Sequence, residues 1–271
     1  MRQPTDERAG RFDVRSQDGT RLAVWVAGQG PPIVLVHGSL QDHTASAALA
    51  RELQRDHTTF ALDRRGFGAS GDGPAHAIER EFEDTAAVVD AVSARTDQPV
   101  ALWGHSYGAG CAMGAACLTT DLRALVLYEP SLGLAYPDGW VEEVERAVSG
   151  GDGETAIVRV LRDLLGFTDE QLDAMRADPT WPCRVATAPT VVREARAEQD
   201  WTYRPGQFDR VGAPTLLLAG SNSPPDVRRA TMAAASAIPR ARIRVLEGHA
   251  HTAHRTDPAL VADVVRRFLR A

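Results

Sequence analysis

The chain of 271 residues contains no lysine, so all 30 of its Lys/Arg positions are arginine. Lysine Schiff-base and lysine-nucleophile chemistry are thereby excluded. There are three cysteines, Cys111, Cys117 and Cys183. An odd and low count argues against a disulfide framework. Cys111 and Cys117 read as small packing residues on one helix. No stretch approaches the ~18 apolar residues of a membrane span. The opening MRQPTDERAG is charged and lacks the apolar core of a secretion signal. The expectation is a cytoplasmic protein that does not engage a membrane. There is no basic stripe, and 36 acidic residues against 30 basic ones leave a net charge of −6. That balance is wrong for gripping a phosphate backbone, so no nucleic-acid partner is expected. Internal repeats and low-complexity segments are also lacking.

What is present suits an ordinary globular protein: 44% hydrophobic and 24% charged residues. The length fits one large α/β domain, or a core with an insertion. FDVRS (12–16) and RLAVWVAG (21–28) alternate apolar and polar residues across Asp18-Gly19, which predicts an antiparallel hairpin. Apolar runs follow at 33–36, 58–62, 100–104, 122–128, 215–220 and 241–248. The middle runs are nearly all apolar, as suits strands buried on both faces. Helical patterns lie between them near 44–55, 79–95, 107–119, 226–237 and 257–270. This alternation predicts an α/β fold with a mostly parallel, eight-stranded, doubly wound sheet. It breaks between 133 and 205, where the patterns are helical, with SGGDG and DPTWPC as separators. That segment is expected to be a helical cap inserted after the sixth strand. The core is then residues 1–132 and 206–271.

The chemistry concentrates in VALWGHSYGAG (100–110). Gly104-His105-Ser106-Tyr107-Gly108 fits G-x-S-x-G between a strand and a helix, the context of a nucleophile elbow. The glycines leave room for a strained turn. The turn presents the Ser106 hydroxyl and lets the Tyr107 N–H face a developing oxyanion. With this motif, IVLVHGS (33–39), LDRRGFGASG (62–71) and EGHAHTAHRTDP (247–258), the chain resembles the α/β-hydrolase fold family over nearly its full length.

The resemblance implies a second oxyanion N–H at Ser39 and a general base at His251, with His249 as the alternative. It implies a structural role for His37. His254 is expected to be solvated. H-x-H-x-x-H could also be read as a metal site, but it has Ala253 where metallo-hydrolases carry Asp, so no metal is expected. The family's usual acid position falls on Ser223, which cannot carry a charge. Glu129, after the sixth strand in LVLYEPS, is the first replacement, as in a subset of haloalkane dehalogenases. Asp226 is the second, unless it only caps the following helix, and a site with no charged orienter is the third.

Gly66-Phe67-Gly68-Ala69-Ser70-Gly71 mimics a dinucleotide fingerprint, but no helix opens within it, so it reads as a loop and no cofactor is expected. Asp42 and His43 read as caps of the next helix. Trp140, Phe167, Trp181 and Trp201 are candidates to line a substrate pocket, and Trp103 is expected in the core. A serine nucleophile speaks against epoxide-hydrolase and dehalogenase chemistry. The function expected is hydrolysis of a carboxylic ester, lactone or thioester of a small to medium apolar substrate through an acyl-enzyme. The alternatives are a lyase or cyclase on the same fold, or a non-catalytic binding module. The expected partner is a small-molecule substrate, with a homodimer left open.

Overall fold

The computed structural model describes residues 10–73, 76–199 and 201–271. The charged N-terminal segment 1–9 lies outside the described residues. Eight strands form one sheet: β1 (Gly10–Arg15), β2 (Arg21–Gly28), β3 (Pro32–Val36), β4 (Thr58–Leu62), β5 (Val100–His105), β6 (Leu122–Tyr128), β7 (Thr215–Gly220) and β8 (Arg242–Leu246). Their spatial order is β1-β2-β4-β3-β5-β6-β7-β8. β2 runs antiparallel to both neighbours, and every pairing from β4 to β8 is parallel. β3, β5 and β7 are buried along their whole length. This follows from their unbroken apolar runs, since a parallel strand must satisfy two covered faces.

The helices are α1 (Ala47–Leu53), α2 (Ile78–Thr96), α3 (Tyr107–Ala115), α4 (Trp140–Ser149), α5 (Gly153–Arg159), α6 (Asp169–Arg176), α7 (Trp181–Val185), α8 (Ala188–Gln199), α9 (Pro225–Ala237), α10 (Ala253–Thr256) and α11 (Pro258–Leu269). One sheet face packs on α2, α3 and α9 through Val34, Phe60, Leu102 and Leu125. The other packs on α1, α10 and α11 through Ile33, Leu35, Trp103 and Val126. Trp103 is a core residue, as its place in an apolar strand predicts.

Several expected boundaries shift. The first crossover helix begins as a 3₁₀ turn, His43–Ser46, with the Asp42 carboxylate accepting from the Thr44 N–H. The helix expected near 257–270 is α11, where Asp257 caps the start with Pro258 at the first position, and the short α10 precedes it. DPTWPC, read as a separator, contains the start of α7. Pro182 stands in that helix's first turn, where its missing N–H costs nothing. Segment 62–73 contains no helix. The buried Asp63 carboxylate holds it as a loop, accepting from Ala69 N–H and Trp25 Nε1–H at 2.9 Å each.

Between β6 and β7 lie five helices, α4 to α8, and a π-helical turn at Val160–Leu164. They bury a third apolar cluster that includes Trp140, Ile157, Leu161, Leu172 and Trp181. No helix among the described residues is long and apolar enough to cross a membrane.

Candidate active site

β5 passes into α3 through Ser106, whose backbone sits at φ 55°, ψ −124°. A serine holds such a conformation only where the surroundings impose it. From Val100 to Ala116 every residue is buried except Ser106, so the turn brings one side chain to open space. A β-carbon at Gly104 would stand 2.5 Å from the Gly108 carbonyl oxygen, and one at Gly108 would stand 2.2 Å from that of His37. A β-carbon at Gly38 would lie 2.9 Å from the Ser106 Cβ, so the loop after β3 abuts the turn. Its next residue, Ser39, lines the same cavity as Ser106. Tyr107 opens α3, whose first N–H groups have no acceptor within the helix.

His251 lines that cavity too. Its Nδ1 lies 2.6 Å from Glu129 Oε2, and Glu129 Oε1 accepts from the Gly220 N–H at 2.7 Å. Both side chains are buried. Nδ1–H donating to a carboxylate leaves Nε2 as the basic nitrogen. Glu129 has φ +45°, and Leu40, just past Ser39, has φ +64°. Among the described residues, three of the five non-glycine residues with positive φ therefore belong to this region. Asp226 is exposed on the first turn of α9, paired with Arg229 rather than with His251. Ser223 is buried, and its hydroxyl makes no protein hydrogen bond.

The histidines of HAHTAH diverge. His249 Nε2 lies 3.7 Å from Asp257. His254, expected in solvent, is fully buried, because α10 turns it inward to pack against His105, the two rings tilted by 47° with centroids 4.2 Å apart. Burial, reinforced by His251 and Arg255, pulls its pKa down to about 3. His37 supports the loop as expected: Nδ1–H donates to the Gly38 carbonyl at 2.8 Å and Nε2 accepts from the Arg64 N–H at 3.1 Å. Sequence reasoning assigned no role to His105 and missed Tyr128. His105 Nε2–H donates to the His251 carbonyl at 2.8 Å. The Tyr128 hydroxyl donates to the Ala250 carbonyl and accepts from the Ala253 N–H at 3.2 Å. Together they clamp the loop that carries His251.

The cavity measures about 800 Å³ including its mouth. Trp140 and Phe167 line it, with Leu134, Leu161, Leu164 and Met175. Two expected lining residues lie elsewhere. Trp181 packs into the cluster of the inserted helices, since it opens a helix that the sequence did not reveal. Trp201 packs on Tyr203 and Phe208, with ring centroids at 4.7 and 6.2 Å.

The cavity wall also carries two buried acids of α8, Glu194 and Glu198. Glu198 accepts from Ser131 Oγ–H at 2.6 Å and Tyr136 O–H at 2.9 Å, and burial pushes its pKa up to about 7. Glu194 pairs with Arg64, which is buried and lies 3.6 Å from Glu81. Their signal was legible in VVREARAEQ. Glu194 and Glu198 share the helical stripe of Val191 and Ala195, an acidic intrusion on an apolar face.

Asp42, His43 and Asp63 could in principle offer metal ligands. The Asp63 carboxylate already accepts from the His43 N–H at 2.8 Å and contacts His43 Nδ1 at 2.7 Å, besides its bonds to Trp25 and Ala69. That saturation suits a structural knot.

This geometry places a strained serine and an imidazole on one cavity, with a carboxylate buried behind the imidazole, which is the equipment for nucleophilic chemistry at a carbonyl. A family profile described as alpha/beta hydrolase family matches residues 33–264. Esterase YbfF of Escherichia coli is 28% identical over 250 residues, covering 88% of this chain and 92% of that protein. The pimeloyl-[acyl-carrier protein] methyl ester esterase of Xanthomonas campestris is 25% identical, covering 91% and 98%. The crystal structure of an alpha/beta hydrolase from Sphaerobacter thermophilus superposes with a TM-score of 0.82 at 31% identity, covering 95% and 99%. This chain belongs to the alpha/beta hydrolase family.

Proposed function

We propose that the chain is a serine hydrolase that cleaves carboxylic esters of small to medium apolar substrates through an acyl-enzyme. The observation that carries this is the contact of His251 Nδ1 with Glu129 at 2.6 Å, with His251 lining the same cavity as Ser106, the one residue of the β5–α3 turn that is not buried. Its relation to two proteins named as esterases supports the same reading.

In the first step His251 Nε2 takes the Ser106 hydroxyl proton as Oγ attacks the ester carbonyl. The N–H groups of Ser39 and Tyr107 receive the oxyanion, each worth on the order of 3 kcal/mol. Collapse expels the alcohol, which takes the proton from His251. Water, deprotonated by His251, then releases the acid and restores Ser106. Glu129 holds the imidazole in its Nδ1–H tautomer and stabilises the imidazolium. The apolar wall from Trp140, Phe167 and the inserted helices would act as a cap that selects the acyl chain.

The test is hydrolysis of p-nitrophenyl acetate, butyrate and octanoate by wild type and Ser106→Ala side by side. The wild type should turn these esters over, with Ser106→Ala at background. Fluorophosphonate should label only the wild type. Labelling without ester turnover would redirect the assignment to a lyase or cyclase, and neither would leave a binding module.

A further inference from the structure

The cavity is apolar along most of its wall but not at its mouth. Leu40, Gln41, Arg184 and Arg255 line both the cavity and the adjoining surface groove, so they mark where one opens into the other. Two of the four are arginines. Half of the described arginines hold a carboxylate, as Arg65, Arg159, Arg176 and Arg196 each do at 3.0 Å or less. Among the described residues, no carboxylate lies within ion-pair distance of Arg184 or Arg255, and neither guanidinium makes a protein hydrogen bond. They are close enough to disfavour each other's charge: burial first, then Arg255, lowers the Arg184 pKa. Asp178 is the acid facing them, and its carboxylate is engaged by the Thr180 N–H at 2.8 Å and hydroxyl at 2.6 Å. Asp42 also lines the groove, its carboxylate accepting from the Thr44 N–H, so both acids lie in the groove, while the residues shared by cavity and groove carry two guanidiniums and no carboxylate.

Among the described residues, the inner wall offers an anion no free cation. Glu194 and Glu198 stand one helical turn apart on α8, and the cation beside them, Arg64, is paired with Glu194. An anion therefore finds open guanidiniums at the mouth and none at the inner wall. A ligand with an apolar middle and one anionic end has a single favourable orientation in such a cavity.

We propose that Arg184 and Arg255 form an anion-binding subsite, and that the preferred substrate is an ester whose acyl chain ends in a carboxylate at the far end from the scissile bond. The planar guanidinium fork matches a carboxylate in two parallel hydrogen bonds. The substrate class rests on the serine-esterase reading. The anion subsite does not.

The experiment compares mono-p-nitrophenyl esters of straight-chain dicarboxylic acids with neutral p-nitrophenyl esters of equal chain length. The wild type should favour the half-ester in kcat/KM by roughly tenfold to a hundredfold, the range of a charge-assisted hydrogen bond, with an optimum at one chain length. The preference should shrink as salt rises, because the mouth is open to screening. Arg184→Gln and Arg255→Gln should each cut the charged-to-neutral ratio through KM, and the double variant should bring it near one. Arg229→Gln, an exposed arginine on α9, serves as the control and leaves the ratio unchanged. Equal kcat/KM for charged and neutral esters in the wild type, or a ratio unmoved by the double variant, overturns the proposal.

Calorimetry with Ser106→Ala separates the two readings. Monomethyl suberate should bind at least tenfold more tightly than dimethyl suberate, and Arg184→Gln/Arg255→Gln should abolish the difference. That result, with no turnover of any ester, would retain the subsite and remove the esterase reading. Ester turnover with no difference in calorimetry would do the reverse.

Discussion

Glu129 meets two demands with one side chain. Its Oε2 faces His251 and its Oε1 receives the N–H of Gly220, the last residue of β7. A residue at φ +45° is strained, and those two bonds, with its own N–H donating to the Leu218 carbonyl at 3.1 Å, hold it there. Glu129→Gln keeps the shape but cannot accept the Nδ1 proton with a charged oxygen. With p-nitrophenyl butyrate its kcat is expected to fall by about 10³- to 10⁴-fold, with KM nearly unchanged. Asp226→Asn, changing an exposed helix-turn residue, should leave kcat as it is. A Glu129→Gln enzyme as fast as the wild type would remove Glu129 from the mechanism.

Among the elements, α8 joins the inserted helices to the core. Its apolar residues Val191 and Ala195 enter the cluster of the insertion, while Glu194 reaches Arg64 after β4 and Glu198 reaches Ser131 after β6. Burial raises the Glu198 pKa from 4.5 to about 7. The native state then holds a proton that the unfolded chain releases above about pH 4.5. Its contribution to stability is complete below that pH and disappears as pH rises through 7. Glu198→Gln cannot ionise. Relative to wild type it should gain up to about 3 kcal/mol between pH 4.5 and pH 8, read from urea midpoints. A difference independent of pH would show that Glu198 is ionised throughout.

At the scale of the whole molecule, the histidines under the sheet's C-terminal edge set the acid limit. Burial, with the charge of Arg64, lowers His37 to about 4, and burial with neighbouring charge lowers His254 to about 3. His105 also falls well below 6.5, first through burial and then through His254 and His251. Each stays neutral in the native state, while the unfolded chain protonates near pH 6.5. Stability is therefore full above 6.5 and is lost as pH falls toward 4. Each histidine adds a slope of up to about 1.4 kcal/mol per pH unit. His254→Phe should reduce the slope of the urea midpoint between pH 4 and 6 by about one proton. An unchanged slope would mean that His254 takes up no extra proton on unfolding.

The eight strands, the turn at Ser106 and the interruption after β6 were readable because each is local. Apolar runs declare buried strands, and G-x-S-x-G declares a turn whose neighbours must lack side chains. Glu129 was readable as a candidate through its place after β6, but its competition with Asp226 was not local. It depended on the parallel order β6-β7-β8, which brings residues 129, 220 and 251 together. The fates of Trp181, Trp201 and His254 were not legible either, because a helix face is defined only by what packs against it. The same holds for Glu194 and Glu198, whose spacing was visible but whose cavity was not. By itself the sequence determined which segments are strands and where the nucleophile turn lies, since backbone sterics and periodicity act over a few residues. The tertiary structure alone decided which acid meets His251 and which side chains face the cavity, since contacts such as Glu129 with His251 and Ser131 with Glu198 join residues more than 60 positions apart.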